Sequence, residues 1–552
     1  MKKWKSSMAL LATCVVSATV FSACSNSNDN AGNEASSTPS ATPTAAAIPD
    51  GKKSWEVDTS PITLDAYLNF SWFANNWTDS AAKEITKETG VSVKISKPVN
   101  DDDQKLNLMI TSDKLPDIIM ADKNSPAWNL MVEKGMLYSL DELAAQYAPE
   151  LLQDAPKEAF TNYVADDKHT YMYVDFIEGE QYQEEVKKYN ALVGTNQPEW
   201  SIRQDYLEEI GNPDISTPEA FTAALEQIKA KHPDKMGYYA NVGDLVNDKD
   251  FQLGTNNMFG NYRYSINGDK IEAGFRSDKF KQELQFMNKL NTLDLLTKDT
   301  FIDTKDIFTQ KINSGKTISY AWAIGEGTKT PSDNPNTSYK VMAPFDSYTQ
   351  YRTGGGWNAF GIPKSNKHPE RTIRFLAYMA SKQGHMVAKW GVEGDKFSGD
   401  VVNGPHYSMV DGKPLYLPEY WEVKQKDWSG VSSKNGLGEY WFATNAAWWN
   451  EPEWNNTDPA FIEYNKMFGD KVKYVPELEN LDPMPNSKEG IILKRVSDLY
   501  SQYGVKMIFA KSEEESMSIY EEFLKKADSL GLPQVEAYWT ANYQKNAERM
   551  GK

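Results

Sequence analysis

The sequence predicts an α/β protein of two lobes, each a doubly wound sheet with flanking helices. Residues 62–120 alternate strand, helix, strand, helix and strand, an order typical of parallel sheets. The same pattern recurs in the middle of the chain. The chain has 552 residues, and about 500 of them follow the N-terminal segment, which is too many for one small core.

The first sheet is predicted from alternating apolar residues and from helix boundaries. The elements are, in order, a strand at Ile62–Phe70, a helix at Ser80–Thr89 that ends at Gly90, a strand at Val91–Ile95, a helix at Asp102–Ser112 and a strand at Leu115–Met120. Ligands of such sheets bind at the carboxyl ends of the strands. Those ends are residues 70–77 and 121–124, which carry Trp72, Trp77, Asp122 and Asn124.

The middle and end of the chain continue this organisation. The predicted elements are a strand at Thr170–Phe176, a helix opened by Thr217 and Pro218, a strand at Gly315–Trp322 and a helix opened by Pro369. Asn267-Gly268-Asp269 predicts a hairpin turn, and the three glycines before Trp357 predict a flexible turn. From about residue 480 the pattern is helical and amphipathic.

The N-terminal residues have the features of a secretory signal. Three lysines among the first five residues precede the apolar run Met8–Val20, which is too short to cross a bilayer. The run is followed by Phe21-Ser-Ala-Cys24, which resembles the bacterial lipobox, although leucine is usual where this chain has Phe21. We predict a signal peptide at 1–23 and a lipid on Cys24; ordinary cleavage near Ala23 is the alternative.

Residues 24–50 contain mainly Ser, Ala, Thr, Asn and Pro, with almost no large apolar side chain. Such a segment cannot bury a core, so we predict a flexible tether. The lipid and tether would hold the folded body outside the cytoplasm, at the outer face of the cell membrane.

Composition excludes several classes of protein. The formal net charge is −18, and it becomes −21 without the three lysines of the signal, which argues against nucleic-acid binding. Cysteine occurs only at positions 14 and 24, so the body has no disulfide and no cysteine nucleophile. The five histidines show no HExxH or close pair, so we expect no metal site and no cofactor.

Ordered segments across about residues 56–550 carry a family resemblance. They are the Trp-rich stretch 62–77, NLMITSDKLPD at 107–117, KGMLYSL at 134–140 with Tyr147-Ala-Pro149, IRQDYL at 202–207, GIPK at 361–364 with His368-Pro-Glu370, and WGVEG at 390–394. Together they resemble the extracellular solute-binding proteins of ABC importers (family 1). Within that group they are similar to the large oligosaccharide-binding lipoproteins, including the alginate-binding proteins.

The resemblance implies a two-lobed periplasmic-binding-protein-like fold (type II) with a ligand cleft between the lobes. It implies capture of an oligosaccharide by lobe closure, delivery to a membrane permease, and no catalysis. We expect a monomer, with lobe 1 formed by 56–177 and 340–395, and lobe 2 by 178–339 and 396–550. The alginate-binding relatives carry a calcium loop after the helix that corresponds to 217–231. Lys231-His-Pro-Asp-Lys-Met-Gly237 lacks its alternating oxygen ligands, so no calcium is expected there.

The candidate ligand-binding residues are mainly tryptophans in loop-like sequence. An indole can stack on the apolar face of a sugar ring, while carboxylates, amides and guanidinium groups bond its hydroxyls. The resemblance adds Trp322, whose position is similar to that of a sugar-stacking tryptophan in the alginate-binding relatives, and the late cluster at 441–449. The candidates are Trp72, Trp77, Asp122, Asn124, Trp322, Arg352, Trp357, Glu393, Trp441 and Trp448.

Two other functions remain open at this stage. A peptide-binding lipoprotein would share the signal and the lobes, although aromatic loops favour sugar over peptide. An exported glycoside hydrolase would also be acidic and rich in tryptophan, and the 77 acidic residues supply many carboxylate pairs.

Overall fold

The structure is a computed structural model in which some residues are placed too uncertainly to describe. It describes residues 48–552 except 101–102, 166, 190–197, 241–245, 247–250, 256–257, 298, 300–302, 304, 324–329, 346–347, 450–465, 468–470 and 551. The predicted signal peptide, Cys24 and most of the predicted tether therefore lie outside the described residues.

The described elements mix strands and helices along the whole chain. The strands are β1 Ile62–Leu68, β2 Val91–Ser96, β3 Ile118–Asp122, β4 Tyr173–Val174, β5 Pro198–Arg203, β6 Met236–Ala240, β7 Tyr264–Asn267, β8 Lys270–Ala273, β9 Thr317–Ala323, β10 Tyr339–Val341, β11 Gln350–Arg352, β12 Asn358–Gly361, β13 Tyr407–Val410, β14 Lys413–Tyr416 and β15 Val472–Tyr474.

The α-helices are α1 Ser80–Thr89, α2 Gln104–Thr111, α3 Pro126–Glu133, α4 Leu140–Tyr147, α5 Leu151–Asp154, α6 Glu158–Thr161, α7 Glu180–Tyr189, α8 Gln204–Glu209, α9 Pro218–Lys231, α10 Asp278–Thr292, α11 Lys305–Asn313, α12 Pro369–Ala380, α13 Lys382–His385, α14 Pro418–Lys426, α15 Trp428–Asn435, α16 Ala446–Trp449, α17 Lys488–Ile508, α18 Glu513–Leu530 and α19 Leu532–Arg549. A π-helical turn spans Met386–Trp390, and short 3₁₀ turns include Pro476–Leu478.

The first sheet has five strands in the order β2-β1-β3-β12-β4. β1 runs parallel to both β2 and β3, which confirms the predicted strand–helix–strand–helix–strand unit. Asp79 caps α1 by accepting from the N–H of Ala82, and Gly90 ends it in the left-handed region at φ 72°. β12 is antiparallel to β3 and β4, so the sheet is mixed at this edge.

The second sheet has four strands in the order β10-β5-β9-β6. Only β6 and β9 are parallel, because β5 runs against both β9 and β10. Thr217 accepts from the N–H of Ala220 at the start of α9, with Pro218 as the first helical residue, as predicted. The hairpin turn predicted at 267–269 is confirmed, since Asn267 pairs with Lys270 between β7 and β8.

Two apolar cores define the two lobes. The first core contains buried residues from 55–177 and 359–449, and the second contains residues from 200–348 and 478–539. This division differs from the predicted one at two segments. Val341, Met342, Phe345 and Tyr348 pack in the second core, and β10 pairs with β5 there. Residues 407–449 pack in the first core, where Tyr416 lies against Trp390 at a centroid distance of 4.7 Å.

Short paired segments lie where the chain passes between the two cores. β11 pairs in parallel with β15, and Ile177 forms bridges to Gly355 on one side and to Asn445 on the other. Extended segments therefore run side by side between the lobes, and we call them the crossing segments. The last three helices, α17 to α19, pack in the second core around the buried Trp539.

Candidate functional site

Three of the predicted tryptophans meet at one edge of the first sheet. Trp72 and Trp357 have ring centroids 6.1 Å apart and planes only 7° from parallel. Trp441 completes a triangle, at 5.1 Å from Trp72 and 5.8 Å from Trp357. Trp72 is 51% exposed and Trp357 is 37% exposed, and Trp441 is half-buried. We call these three residues the tryptophan platform.

The strand order explains why the platform forms there. Trp72 follows β1 and Trp357 precedes β12, and β3 lies between these two strands. Because β12 is antiparallel to β3, its first residue lies at the edge where β1 and β3 end. Trp441 comes from the segment after α15, and its indole N–H donates to the carbonyl of Gly438 at 3.1 Å.

Phenylalanines support the platform from beneath. Phe70 lies 5.7 Å from Trp72 and 5.5 Å from Trp357, Phe73 lies 5.5 Å from Trp441, and Phe176 lies 6.3 Å from Trp357, as ring centroid distances. Phe70 and Phe73 belong to the first core. The exposed indoles are therefore backed by packed rings, and this fixes their orientation before any ligand binds.

The turn before Trp357 is held tightly. Gly354 and Gly356 have φ of 66° and 74°, values that favour glycine. The N–H of Trp357 donates to the carbonyl of Asp175 at 3.2 Å, and its own carbonyl accepts from the N–H of Lys123 at 3.0 Å. Trp357 is thus bonded on both sides, to the loop after β3 and to the segment after β4.

Polar groups lie in the loops after the strands of the first sheet. Asp122 pairs across the sheet with Asn358, next to Trp357, and its carboxylate accepts from the N–H of Asn124 at 2.8 Å. The side chain of Asn124 is exposed. Both predicted residues therefore lie at the same edge of the sheet as the platform.

A second polar group at this edge was not among the sequence candidates. Asp103 accepts from the amide of Asn69 at 2.6 Å and from the hydroxyl of Ser125 at 2.7 Å. Asn69 follows β1, Asp103 precedes α2 and Ser125 follows β3. Only position in the sequence could have identified these three residues. Each lies just after a strand of the parallel unit, or just before a helix that follows such a strand.

The other candidates lie elsewhere. Trp77 does not reach the ligand surface predicted for it, because its indole is buried in the first core and donates to Thr86 of α1 at 2.9 Å. Glu393 is exposed and bridges to Tyr407 at the start of β13. Trp448 is half-buried, with the ammonium of Lys382 5.0 Å from its ring centroid. Trp322 lies in β9, but its side chain is outside the described residues.

Arg352 is also placed differently from the expectation. Its guanidinium forks onto Glu178, with the Nε to Oε2 distance at 2.9 Å, and both side chains are largely buried. This pair joins two of the crossing segments. The guanidinium of Arg352 therefore links the segments that run between the lobes and does not face the platform.

A second buried ion pair connects the platform to the other lobe. The ammonium of Lys123 contacts Glu479, and it also donates to the carbonyl of Gly355 at 2.9 Å and to the hydroxyl of Tyr163 at 3.1 Å. Burial acts to raise the pKa of Glu479, but the charge of Lys123 outweighs it and holds that pKa below its usual range. Burial beside this carboxylate raises the pKa of Tyr163. We call Lys123, Tyr163, Gly355 and Glu479 the inter-lobe junction.

The region in which calcium was not expected contains positive side chains. The ammonium of Lys229 donates to the carbonyls of Pro233 and Lys235, at 2.9 and 2.5 Å. Lys231 and His232 both pair with Glu209. Across the part of the chain that the structure describes, no cluster of three or more His, Cys, Asp or Glu side chains is arranged to hold a metal ion.

Among the described residues, no helix is long and apolar enough to cross a membrane.

Comparison with known sequences identifies a family and named relatives. Residues 80–391 match the bacterial extracellular solute-binding proteins. The polygalacturonan/rhamnogalacturonan-binding protein YtcQ of Bacillus subtilis is 22% identical over an alignment of 463 positions, and the match covers 79% of this chain and 84% of YtcQ. The fructooligosaccharide ABC transporter substrate-binding protein FusA of Streptococcus pneumoniae is 23% identical over an alignment of 333 positions, and the match covers 57% of this chain and 60% of FusA.

Comparison with solved structures shows the same fold. FusA in complex with kestose aligns with a TM-score of 0.64 and 18% identity, covering 89% of this chain and 100% of that one. The alginate-binding protein AlgQ2 without calcium ion aligns with a TM-score of 0.62 and 17% identity, with the same coverage. The two-lobed α/β fold of the solute-binding proteins is thereby confirmed.

Proposed function

The chain belongs to the bacterial extracellular solute-binding proteins, and we propose that it captures an oligosaccharide on the tryptophan platform and delivers it to an ABC permease. The observation that carries the proposal is the platform itself, in which Trp72 and Trp357 expose 51% and 37% of their surface although both are backed by core aromatic rings. A monomeric protein would gain stability by burying such rings. Their exposure at a sheet edge is typical of a ligand surface.

The chemistry of the platform fits a sugar ring. Pyranose and furanose rings have apolar C–H faces that pack on an indole, and hydroxyl edges that need acceptors and donors nearby. Asp122, Asn124 and the Asn69–Asp103–Ser125 group supply such atoms at the same edge. Two relatives support this ligand class, since YtcQ is a polygalacturonan/rhamnogalacturonan-binding protein and FusA is the substrate-binding protein of a fructooligosaccharide transporter.

The proposal includes no catalysis. The two lobes would close on the ligand about the crossing segments, and the loaded protein would dock on the permease. We further propose that a lipid on Cys24 and the tether at 24–50 keep the protein at the outer face of the membrane, which raises its effective concentration near the permease. Cys24→Ala should then release the protein into the medium without changing its ligand affinity; retention at the membrane would contradict the anchor.

Isothermal titration calorimetry tests the ligand class. The titrants are neutral oligosaccharides such as kestose, uronic-acid oligosaccharides of the galacturonan type, and extended peptides of similar length. We expect binding to sugars and not to peptides. Binding to peptides alone would refute the proposal in favour of a peptide carrier, and the appearance of shorter saccharides in the titration cell would show an enzyme instead.

Substitution tests the platform. Trp72→Ala and Trp357→Ala should each weaken sugar binding by about 10- to 100-fold, because an indole face contributes on the order of 1–3 kcal/mol of stacking and burial. Tyr538→Ala is the matched control, since Tyr538 is a half-buried aromatic residue packed on the second core. Equal affinities for all three variants and the wild type would exclude the platform as the binding surface.

A further inference from the structure

A second group of aromatic side chains lies on the surface of the first lobe, outside the platform. Trp421 on α14 stacks on Tyr416 with ring centroids 5.3 Å apart and planes 8° from parallel. Trp428 opens α15 and meets Trp421 at 6.1 Å, with planes 83° apart. The two indoles therefore form a right-angled corner, and Trp428 is 46% exposed. We call Trp421 and Trp428 the outer corner.

Trp428 is held in one orientation although almost half of it is exposed. Its indole N–H donates to the carboxylate of Glu439 at 3.0 Å. The ammonium of Lys424 lies 4.4 Å from the ring centroid, and that lysine is buried and bonded to Ser432 and to the carbonyl of Leu437. Because the buried ammonium lies over one face of the indole, a ligand would contact the exposed remainder of the ring. The ring is a preorganised platform and not a loosely attached side chain.

One short segment of chain links the outer corner to the tryptophan platform. Glu439, which fixes Trp428, is two residues from Trp441, which belongs to the platform. The α-carbons of residues two apart are separated by about 7 Å at most. The backbone positions behind the two surfaces are therefore close, so a chain-like ligand that continues beyond Trp441 is expected to meet the corner.

We propose that the outer corner is an accessory saccharide-binding subsite, which takes the part of a long oligosaccharide that extends beyond the tryptophan platform. The proposal rests on the proposed function and names a further part of its ligand surface. The corner repeats the chemistry of the platform, with a fixed, exposed indole and a carboxylate at its edge.

The surroundings of the corner favour a sugar over a protein partner. Met409 and Val410 are exposed apolar residues of the neighbouring hairpin, but they lie at its turn, where Val410 pairs with Lys413. Tyr416, which supports the corner, pairs with Tyr407 at the other end of the same hairpin. The corner therefore does not merge with the apolar turn into one broad face of the kind that protein partners cover.

Calorimetry with saccharides of two lengths tests the subsite. The probes are a short and a long member of the linear fructo-oligosaccharides, and a short and a long member of the galacturonate oligosaccharides. In the wild type the longer member of the series that binds should bind more tightly. Trp428→Ala should weaken binding of the long member by about tenfold and leave the short member unchanged. Trp72→Ala should weaken both, because every ligand contacts the platform.

The controls separate a local effect from a loss of folding. Trp428→Phe keeps an aromatic face, so it should recover most of the affinity for the long member. Unchanged affinity of Trp428→Ala for the long member would overturn the subsite and leave the proposed function standing. Failure of the wild type to bind either series would refute the proposed function and the subsite together. If Trp428→Ala reduced uptake by cells but left the affinity for the long saccharide unchanged, the corner would be a contact for a protein partner. That result would overturn the proposal.

Discussion

His385 is a buried titratable residue that fixes the segment beside a crossing strand. Its Nδ1 donates to the carbonyl of Ser381 at 2.7 Å, and its Nε2 accepts from the N–H of Asn445 at 2.9 Å. Asn445 in turn bridges to Ile177 between the lobes. A ring with one donor and one acceptor engaged must be neutral. Burial is the main cause that lowers the pKa of His385 to about 4, with the charge of Lys389 adding to it.

This geometry predicts a loss of stability in acid. Between the ordinary histidine pKa of about 6.5 and the folded value, the unfolded chain binds a proton that the folded chain excludes. The contribution of neutral His385 to the free energy of unfolding is therefore complete above about pH 6.5. It is lost as the pH falls, and the loss reaches roughly 2–3 kcal/mol at pH 4. Urea unfolding at pH 7 and pH 4.5 should show it.

The His385→Gln variant should be less stable at pH 7 because the bond to Asn445 is altered, but its stability should depend less on pH. His169 is the matched control, since it hydrogen-bonds Asp141 at the surface and this raises its pKa. His169→Gln should leave the acid-dependent loss in place. An identical pH dependence for the wild type and His385→Gln would contradict the assignment.

The sequence identified candidate ligand-binding residues but could not show which of their side chains are exposed. Trp72 and Trp77 are five positions apart in the same loop-like stretch. One exposes half its surface on the platform, and the other is buried and donates to Thr86. What separates them is the direction of each side chain after the strand ends, and this depends on contacts with residues such as Phe375 and Tyr440, far away in the sequence. The platform itself needed Trp441, which comes from a segment assigned to the other lobe.

Among the elements, the turn at 354–356 places a strict geometric demand on its backbone. At Gly356, with φ of 74°, an added Cβ would lie 2.1 Å from the carbonyl of Asp175. That carbonyl accepts the N–H of Trp357, so the turn cannot move away without releasing the platform. The glycine is required both by its backbone angle and by the close approach of another chain segment.

Gly356→Ala should therefore cost about 2–4 kcal/mol of stability, through a strained backbone and a steric clash, and should also weaken sugar binding. Gly268→Ala is the matched control, since Gly268 has φ of 64° but nothing within 4 Å of an added Cβ. It should cost only the strain, about 1 kcal/mol, and leave binding unchanged. Thermal unfolding and calorimetry on both variants would check this; equal effects at the two positions would show that the close contact with Asp175 is unimportant.

Several helix boundaries and the strands of the parallel unit were predictable because their signals are local. Gly90, Thr217 and Pro218 mark helix boundaries that the structure confirms, and apolar alternation marks β1 and β2. The antiparallel pairing of β12 with β3 and β4 was not predictable. Within the strand expected at 170–176, Tyr173–Val174 is the part that joins the sheet, and its partner β12 lies almost 200 residues later. Pairing at such separation is set by the packed lobes and leaves no local pattern.

For the whole molecule, the division into lobes departs most from the sequence prediction. Residues 396–550 were expected to form one continuous part of lobe 2, yet 407–449 pack in the first core. The reason is aromatic packing over long range, in which Tyr416 and Tyr407 surround the buried Trp390. A boundary based on the order of segments cannot show this, because the strands of the segment pair only with each other, as β13 and β14, and join neither of the two main sheets. Its return to the first lobe brings Trp441 to the platform.

The inter-lobe junction joins the segment beside the platform to the second lobe. Lys123 belongs to the loop after β3, and Glu479 lies between Leu478 and Leu481 of the second core. The side chains of this pair are 10% and 8% exposed. Breaking a buried pair leaves an uncompensated charge, which costs about 3–5 kcal/mol. Lys123 also donates its backbone N–H to Trp357, so the same residue contacts the platform and the other lobe.

Glu479→Gln should therefore loosen the crossing segments without unfolding either lobe. In hydrogen–deuterium exchange, amides at 353–357 and at Glu178, which donates to the carbonyl of Gly354, should exchange faster than in the wild type. Glu536→Gln is the control, since Glu536 is a partly buried carboxylate within the second lobe that binds Arg276 and the N–H of Ala273. It should speed exchange at β8 and leave 353–357 unchanged.

The opposite pattern would mean that the junction does not couple the lobes. In that case the amides at 353–357 would exchange slowly in Glu479→Gln, or would exchange fast in both variants.

Loosened crossing segments should also weaken sugar binding. A ligand that closes the lobes gains less when the crossing segments are already loose, because part of the ordering cost then falls on the binding step. Sugar affinity should thus fall in Glu479→Gln although no contact with the ligand is removed, and it should stay unchanged in Glu536→Gln.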